Sequence, residues 1–207
     1  MGVDCSKPAH VDGLVISRSF ATEESSSECE LTHPGKMKIL FLDVDGVLHP
    51  VNGHQEFVHS CVFELCRIVQ ATNASIVLST AWRLVPAASA FLQAQMSLWG
   101  LMPPIGETPE LAKPPDNIFF RYCGMKGSMR PGEITAWLSS NLDMVDFPRW
   151  VAIDDIDMTA ELDPHMVRTN KRIGLTPADA DRAIWTLNSN ELCDCRLCSS
   201  LACAQAV

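Results

Sequence analysis

Apolar residues along the chain follow two rhythms that alternate. Met37 to Leu42 is an apolar run broken only by Lys38, and a short run of this kind predicts a buried strand. EFVHSCVFELCRIVQ instead carries apolar side chains at positions 58, 61, 62, 65 and 69, the spacing of one helix face. The β-branched run ASIVLS predicts a second strand. VPAASAFLQAQMSLWG predicts a helix that starts near Pro86 and stops at Gly100, with apolar positions 88, 91, 92 and 99. The stretch GLMPPIGETPELAKPPDN is proline-rich and reads as irregular, with a short strand at 101–105. PGEITAWLSSNL places Ile134, Trp137 and Leu138 on one helical face. RWVAI predicts a strand that runs into Asp154 and Asp155, and MVRT a last short one. TPADADRAIWTLN offers Thr176 as helix cap, Pro177 at the first helical position, and Ala180, Ile184 and Leu187 as a buried face.

Strands that alternate with helices predict a parallel sheet covered on both faces, a Rossmann-like three-layer α/β fold. Ligands of such sheets bind at the carboxyl ends of the strands. Here those ends read DVD, STAWR and DDID, so polar groups distant in sequence are expected along one edge. The periodic pattern begins near Met37. Residues 1–35, with ATEESSSECE and THPGK, read as a disordered acidic tail, 36–190 as the folded domain, and 191–207 as a flexible Cys-rich tail.

Bulk properties narrow this picture. A length of 207 residues suits one ordinary domain with tails, and no apolar run is long enough to span a bilayer. The net charge of −9 argues against a general polyanion-binding surface, although a local basic groove is compatible with it. Nine cysteines, with Cys61, Cys66 and Cys123 inside globular sequence, form no disulfide framework, and no secretory signal precedes them. A reducing, cytoplasmic compartment is expected. Cys193, Cys195, Cys198 and Cys203 hold a single CxxC, whereas a zinc site needs a second pair or histidines at suitable spacing. At the other terminus, MGVDCSK matches the N-myristoylation pattern at Gly2, and Cys5 is available for palmitoylation. Two acyl chains would give firm membrane contact where one gives little. The alternative is a chance match at a disordered terminus.

The candidate chemistry starts at FLDVDGVLHP, a hydrophobic strand that ends in two carboxylates. Strand alternation would point Asp43 and Asp45 to the same side, with Val44 opposite. Neighbouring carboxylates at the edge of a core repel, and the pair persists when a cation lies between them or one keeps its proton. Each candidate also has an ordinary reading. Asp43 and Asp45 would begin a solvated loop, Asp154 and Asp155 would be a helix cap and a surface acid, Ser79 would end a strand, and Arg130 would be a solvated cation. Trp82 and Arg83 read equally as packing residues or as residues that reach substrate. His49, His54 and His59 read as loop and helix-surface residues, with His49 or His54 able to stand at the mouth of a site.

Taken in order, DVDGVL, STAWR, RPGEITAWL, DDID and GLTPADA resemble the motifs of the haloacid dehalogenase (HAD) superfamily of phosphohydrolases. The likeness covers about residues 37 to 188 and is greatest to a capless branch, the HAD domain of Swiss Army Knife RNA repair proteins. A lone DxD would say little; the ordered set, each member at a strand end or helix start, is specific. The resemblance implies that Asp43 is the nucleophile that forms an aspartyl-phosphate. It implies that Asp45 protonates the leaving oxygen and later activates water. It further implies Mg²⁺ held by Asp43, the backbone carbonyl of Asp45, and Asp154, with Asp155 direct or through water. Ser79, with Thr80 as substitute, would hydrogen-bond a phosphoryl oxygen, and Arg130 or Lys126 would neutralise its charge. Gly46 would let the backbone turn after the nucleophile. Neither inter-motif gap holds a full cap domain, which implies an open site suited to a large substrate such as a nucleic-acid end or a phosphoprotein. The competing reading is a catalytically weak scaffold tethered to a membrane. A dehalogenase-like hydrolase fits less well, because that branch typically lacks the second acid.

Overall fold

The apolar run Met37–Leu42 forms strand β1, the centre of a five-stranded parallel sheet. The computed structural model describes residues 36–51, 56–111 and 129–189, all inside one compact unit, Thr32–Val207. After β1 come α1 (His59–Thr72), β2 (Ser75–Leu78), a 3-10 turn (Ala81–Leu84), α2 (Pro86–Leu98) and β3 (Gly106–Glu107). Then follow α3 (Arg130–Ser140), β4 (Val145–Asp154), the short α4 (Thr159–Leu162), β5 (Met166–Arg168) and α5 (Pro177–Asn188). The strand order is β3-β2-β1-β4-β5, every pairing parallel. Among the described residues no cap domain stands over the sheet, and no helix is long and apolar enough to cross a membrane. Gly2, Cys5, His54, Cys123, Lys126 and the C-terminal cysteines lie outside the described residues.

Strand parity builds the three layers. Leu40, Leu42, Ile76, Leu78, Val151 and Ile153 pack on one face with residues of α1, α2 and α5. Ile39, Phe41, Val77, Trp150 and Ala152 pack on the other with α3 and α4. Phe41 meets Trp137 and Trp150 edge-on at 5.4 and 6.0 Å, an arrangement that matches positive ring edges to negative faces. The same parity carries past the strand ends. The Asp43 amide donates to Ile153 O and the Ser79 amide to Leu42 O. Asp43, Ser79 and Asp154 therefore continue the rows of Phe41, Val77 and Ala152, towards the α3 side.

Several elements differ from the sequence expectation. The strand expected at 101–105 is β3 at Gly106–Glu107, because Pro103 and Pro104 have no N–H and pairing starts only where Ile105 N donates to Ile76 O. Strand β4 begins at Val145, four residues before RWVAI, and crosses Pro148 through an irregular register against Met37 and Ile39. The 3-10 turn and α4 are too short to show a period. Helix α2 buries Leu92 and Met96, while Phe91 is 47% exposed and belongs to its outer face. Helix α5 begins as expected, with Thr176 and Asp179 in a reciprocal capping box.

The loop after β5 is fastened to the loop after β1. Thr169 Oγ1 donates to Gly46 O, Leu175 N to Val47 O, and Val51 N to Lys171 O. At the join Gly174 has φ +84°, and a Cβ there would lie 2.7 Å from both Cys61 Sγ and Val47 O. Gly174→Ala is therefore expected to cost roughly 2 kcal/mol or more of stability, from positive φ and lost space together. A denaturant titration reads this directly, and an unchanged midpoint would show that the loops are not held together here.

Candidate active site

Burial sets the electrostatics of the carboxyl edge. Asp43 and Asp154 are 3% and 1% exposed, and Asp155 at the next position is half-buried. One carboxylate oxygen from each of these three lies within 4.8 Å of the other two. Arg130, the first residue of α3, reaches into the group, with Nη1 2.9 Å from Asp43 Oδ2 and 2.5 Å from Asp154 Oδ2. Burial pushes the Asp43 carboxyl above its ordinary range, against the opposing pull of Arg130. Burial, and then the charge of Asp43, raises Asp154 to about 7, again with Arg130 opposing. Burial works against the charge on Arg130, yet the two carboxylates outweigh it and hold the guanidinium above its usual range.

The repulsive pair is thus Asp43 with Asp154, from neighbouring strands. The sequence pointed instead to Asp43 with Asp45. Strand β1 ends at Leu42, and the chain turns at Gly46 with φ +76°. Asp45 lies outside the three-carboxylate group; its side chain is 45% exposed and directed to other partners. Trp82 Nε1 donates to Asp45 Oδ2 at 3.0 Å. His49 Nε2 lies 3.2 Å from Asp45 Oδ1, near enough for ion pairing but out of line for a hydrogen bond. His49 Nδ1 is 3.1 Å from Pro50 O, where only an N–H is favourable. A side chain on Gly46 would sit 2.8 Å from Asp155 Cβ and Cγ, so the missing Cβ is what lets Asp155 approach the turn.

Ser79 and Thr80 divide the next task. The Thr80 hydroxyl accepts from Trp82 N and stands close enough to the Asp43 carboxyl to favour its charged form. Ser79 Oγ, on a residue 2% exposed, has no partner among the described residues. Buried hydroxyls are rarely left so, and this one continues the row that carries Asp43 and Asp154.

Arg83 and Glu133 form the frame beneath. Arg83 donates from Nη1 to Thr80 O at 2.6 Å, from Nε to Thr108 O at 2.8 Å, and from Nη2 to Glu133 Oε2 at 2.8 Å. Both side chains are more than nine-tenths buried. Glu133 lies in the first turn of α3, three residues after Arg130. The pair therefore ties the Ser79–Thr80 loop to the helix end that delivers Arg130. Sequence reasoning left Arg83 and Trp82 between packing and substrate contact and did not single out Glu133. The one available signal was an Arg and a Glu within otherwise apolar helical stretches.

A parallel sheet covered on both faces, with buried acids, an arginine and an orphaned hydroxyl at its carboxyl edge, defines a HAD-like α/β domain of the hydrolase type. The family described as the HAD domain in Swiss Army Knife RNA repair proteins matches residues 39–180, and the chain belongs to that family. Neither the curated proteins nor the solved structures give a match.

Three clustered carboxylates that share one arginine fit a hard divalent cation. Asp154, with a folded pKa above its unfolded value, contributes stability that is complete below about pH 4 and lost as pH rises through about 7. Without divalent cations the melting temperature is thus expected to carry a component that falls from pH 4 to 8. A divalent cation should raise the melting temperature more at pH 8 than at pH 5, and Asp154→Asn should reduce both effects, with Asp43, also raised, supplying the remainder. A variant that keeps the wild-type profile would dissociate them from this group. Arg83→Met, which strands Glu133 in the interior, is expected to cost about 3–5 kcal/mol. Chemical unfolding measures it, and a loss below about 1 kcal/mol would show that the frame is dispensable.

Proposed function

We propose that the protein is a Mg²⁺-dependent phosphomonoester hydrolase acting through an aspartyl-phosphate on Asp43. The observation that carries this reading is the gathering of Asp43, Asp154 and Asp155, with Arg130 bridging the first two, in a chain of the HAD family. Mg²⁺ would be held by Asp43, the backbone carbonyl of Asp45, and Asp154, with Asp155 direct or through water. When bound it supplies positive charge to the phosphoryl oxygens.

An Asp43 carboxylate oxygen attacks phosphorus, and the bond from phosphorus to the leaving oxygen breaks. Asp45 gives that oxygen its proton. In the second half Asp45 takes a proton from water, the water oxygen attacks phosphorus, and the acyl-phosphate bond breaks to release inorganic phosphate and restore Asp43. Trp82 Nε1 holds the Asp45 carboxyl in place for both transfers. Ser79 Oγ donates to a phosphoryl oxygen, and Arg130 neutralises charge that grows on the transferring group. Arg130 also orients Asp43. Without a cap among the described residues the edge stays open, which suits a phosphate carried on a large molecule.

Purified protein is expected to hydrolyse an aryl phosphate when Mg²⁺ is present and to lose activity on chelation. Asp43→Asn should lower kcat by on the order of 10³-fold or more with the fold intact. Full activity in the homogeneous variant would remove Asp43 from the nucleophile role. Absence of turnover in the wild type on aryl phosphate, phosphopeptide and phosphate-ended oligonucleotide alike would favour the scaffold reading.

A further inference from the structure

Asp45 is held outside the acidic group, at the end of a run of aromatic rings. Trp82, whose Nε1 donates to Asp45 Oδ2, has its ring centre 5.9 Å from that of Phe57 and 6.5 Å from that of Phe91. Phe57 and Phe91 stack at 5.9 Å with 14° between their planes, and Trp99 meets Phe57 edge-on at 4.9 Å. Core packing accounts for Phe57, Trp82 and Trp99, which lie against the buried cluster shared by α1, α2 and the sheet. It does not account for Phe91, which is 47% exposed. An exposed ring stacked on a half-buried one leaves an apolar wall that faces solvent.

That wall belongs to a cavity of about 320 Å³, near the lower end of the volumes that hold a small ligand. Phe57, Val62, Phe91 and Trp99 form its apolar sides, and Glu56, His59 and Gln95 supply its polar groups. Apolar walls with a few polar groups are the usual make-up of a pocket for a small molecule or a single side chain. The lining contains no Lys or Arg and one carboxylate, Glu56, so it disfavours a further anionic group and accepts an uncharged ring. In the phosphatase reading the leaving oxygen takes its proton from Asp45 and therefore stands near the indole edge of Trp82. Whatever that oxygen carries has the ring run from Trp82 to Phe91 as its neighbouring apolar surface, and the pocket lies at the end of that run.

Resting on that reading, we propose that the protein favours phosphate monoesters of aromatic alcohols, with the ring of the leaving group seated against Phe91 at this pocket. Phosphotyrosine in a protein and a small aryl phosphate share this chemistry. A ring placed there buries apolar surface on both partners, whereas a short alkyl ester leaves Phe91 in water.

The test measures binding, so that it does not depend on turnover. Propyl, phenyl and naphthyl phosphate are titrated calorimetrically into Asp43→Asn protein with Mg²⁺, with and without Phe91→Ala. Naphthyl phosphate is expected to bind roughly tenfold more tightly than propyl phosphate, and Phe91→Ala to remove most of that difference while leaving propyl phosphate within about twofold. Phe91→Tyr, which keeps the ring, should restore the difference, and Trp185→Ala, which removes an exposed ring from α5, should leave it unchanged. A phosphotyrosyl peptide and free phosphotyrosine, each weakened by Phe91→Ala, both support the proposal, and the tighter of the two identifies the source of the ring as a protein or a small molecule. Equal affinity for these esters, a ring preference that survives Phe91→Ala, or the absence of binding by all of them would overturn the proposal. A ring preference that depends on Phe91, in a protein whose wild type hydrolyses no phosphate ester, would instead overturn the phosphatase reading alone.

Discussion

Two carboxylates buried at neighbouring strand ends cannot both ionise without a cation, and Arg130 meets that requirement here. Its Nη1 lies within 3 Å of an oxygen of both Asp43 and Asp154. Much of the architecture serves this contact. The β1–β4 pairing sets the carboxylates side by side, and α3 must start where its first residue can reach between them. The buried Arg83–Glu133 pair holds that helix end against the loop that carries Ser79 and Thr80. A buried ion pair is a weak source of net stability, because desolvation offsets most of its attraction. Its value here is geometric: it sets the position of another charged group.

The fold was largely legible in the sequence because its signals are local. Leu40 and Leu42 on one face and Ile39 and Phe41 on the other make the last four residues of β1 an unbroken apolar run, as a strand buried on both faces requires. The capping box at Thr176 and Asp179 marks its own helix. Hidden features were those without a period or with a broken one. The four-residue α4 has no room for a repeat. Strand β4 continues back through Pro148, which a sequence reader takes as an end. Strand β3 is short and defined by what it pairs with.

At the site, sequence reasoning identified residue types and chain order but misjudged who faces whom. Alternation paired Asp43 with Asp45, because it assumed that the strand ran on to position 45; the turn at Gly46 comes first. The charge that bears on Asp43 comes from Arg130, and the acid that its own charge raises is Asp154, more than a hundred residues away. Ser79 and Thr80 were interchangeable as letters. In three dimensions the Thr80 hydroxyl is engaged by Trp82 N, and that of Ser79 is left without a partner among the described residues. Trp82 was ambiguous because an indole that packs and an indole that donates to a carboxylate look alike in sequence.

The order of the strands also dictates when the site comes into being. Strand β1 is made before the rest of the sheet, but it lies between β2, which follows closely, and β4, which follows about a hundred residues later. The bonds that shape the Asp43 loop come later still, from Thr169, Lys171 and Leu175. A nascent chain that has extruded only β1, α1 and β2 carries the Asp43 carboxylate without Arg130, Asp154 or the loop's fastening. Contacts so distant in sequence are slow to close. Asp43 is thus the first part of the site to be translated and among the last to reach its final surroundings.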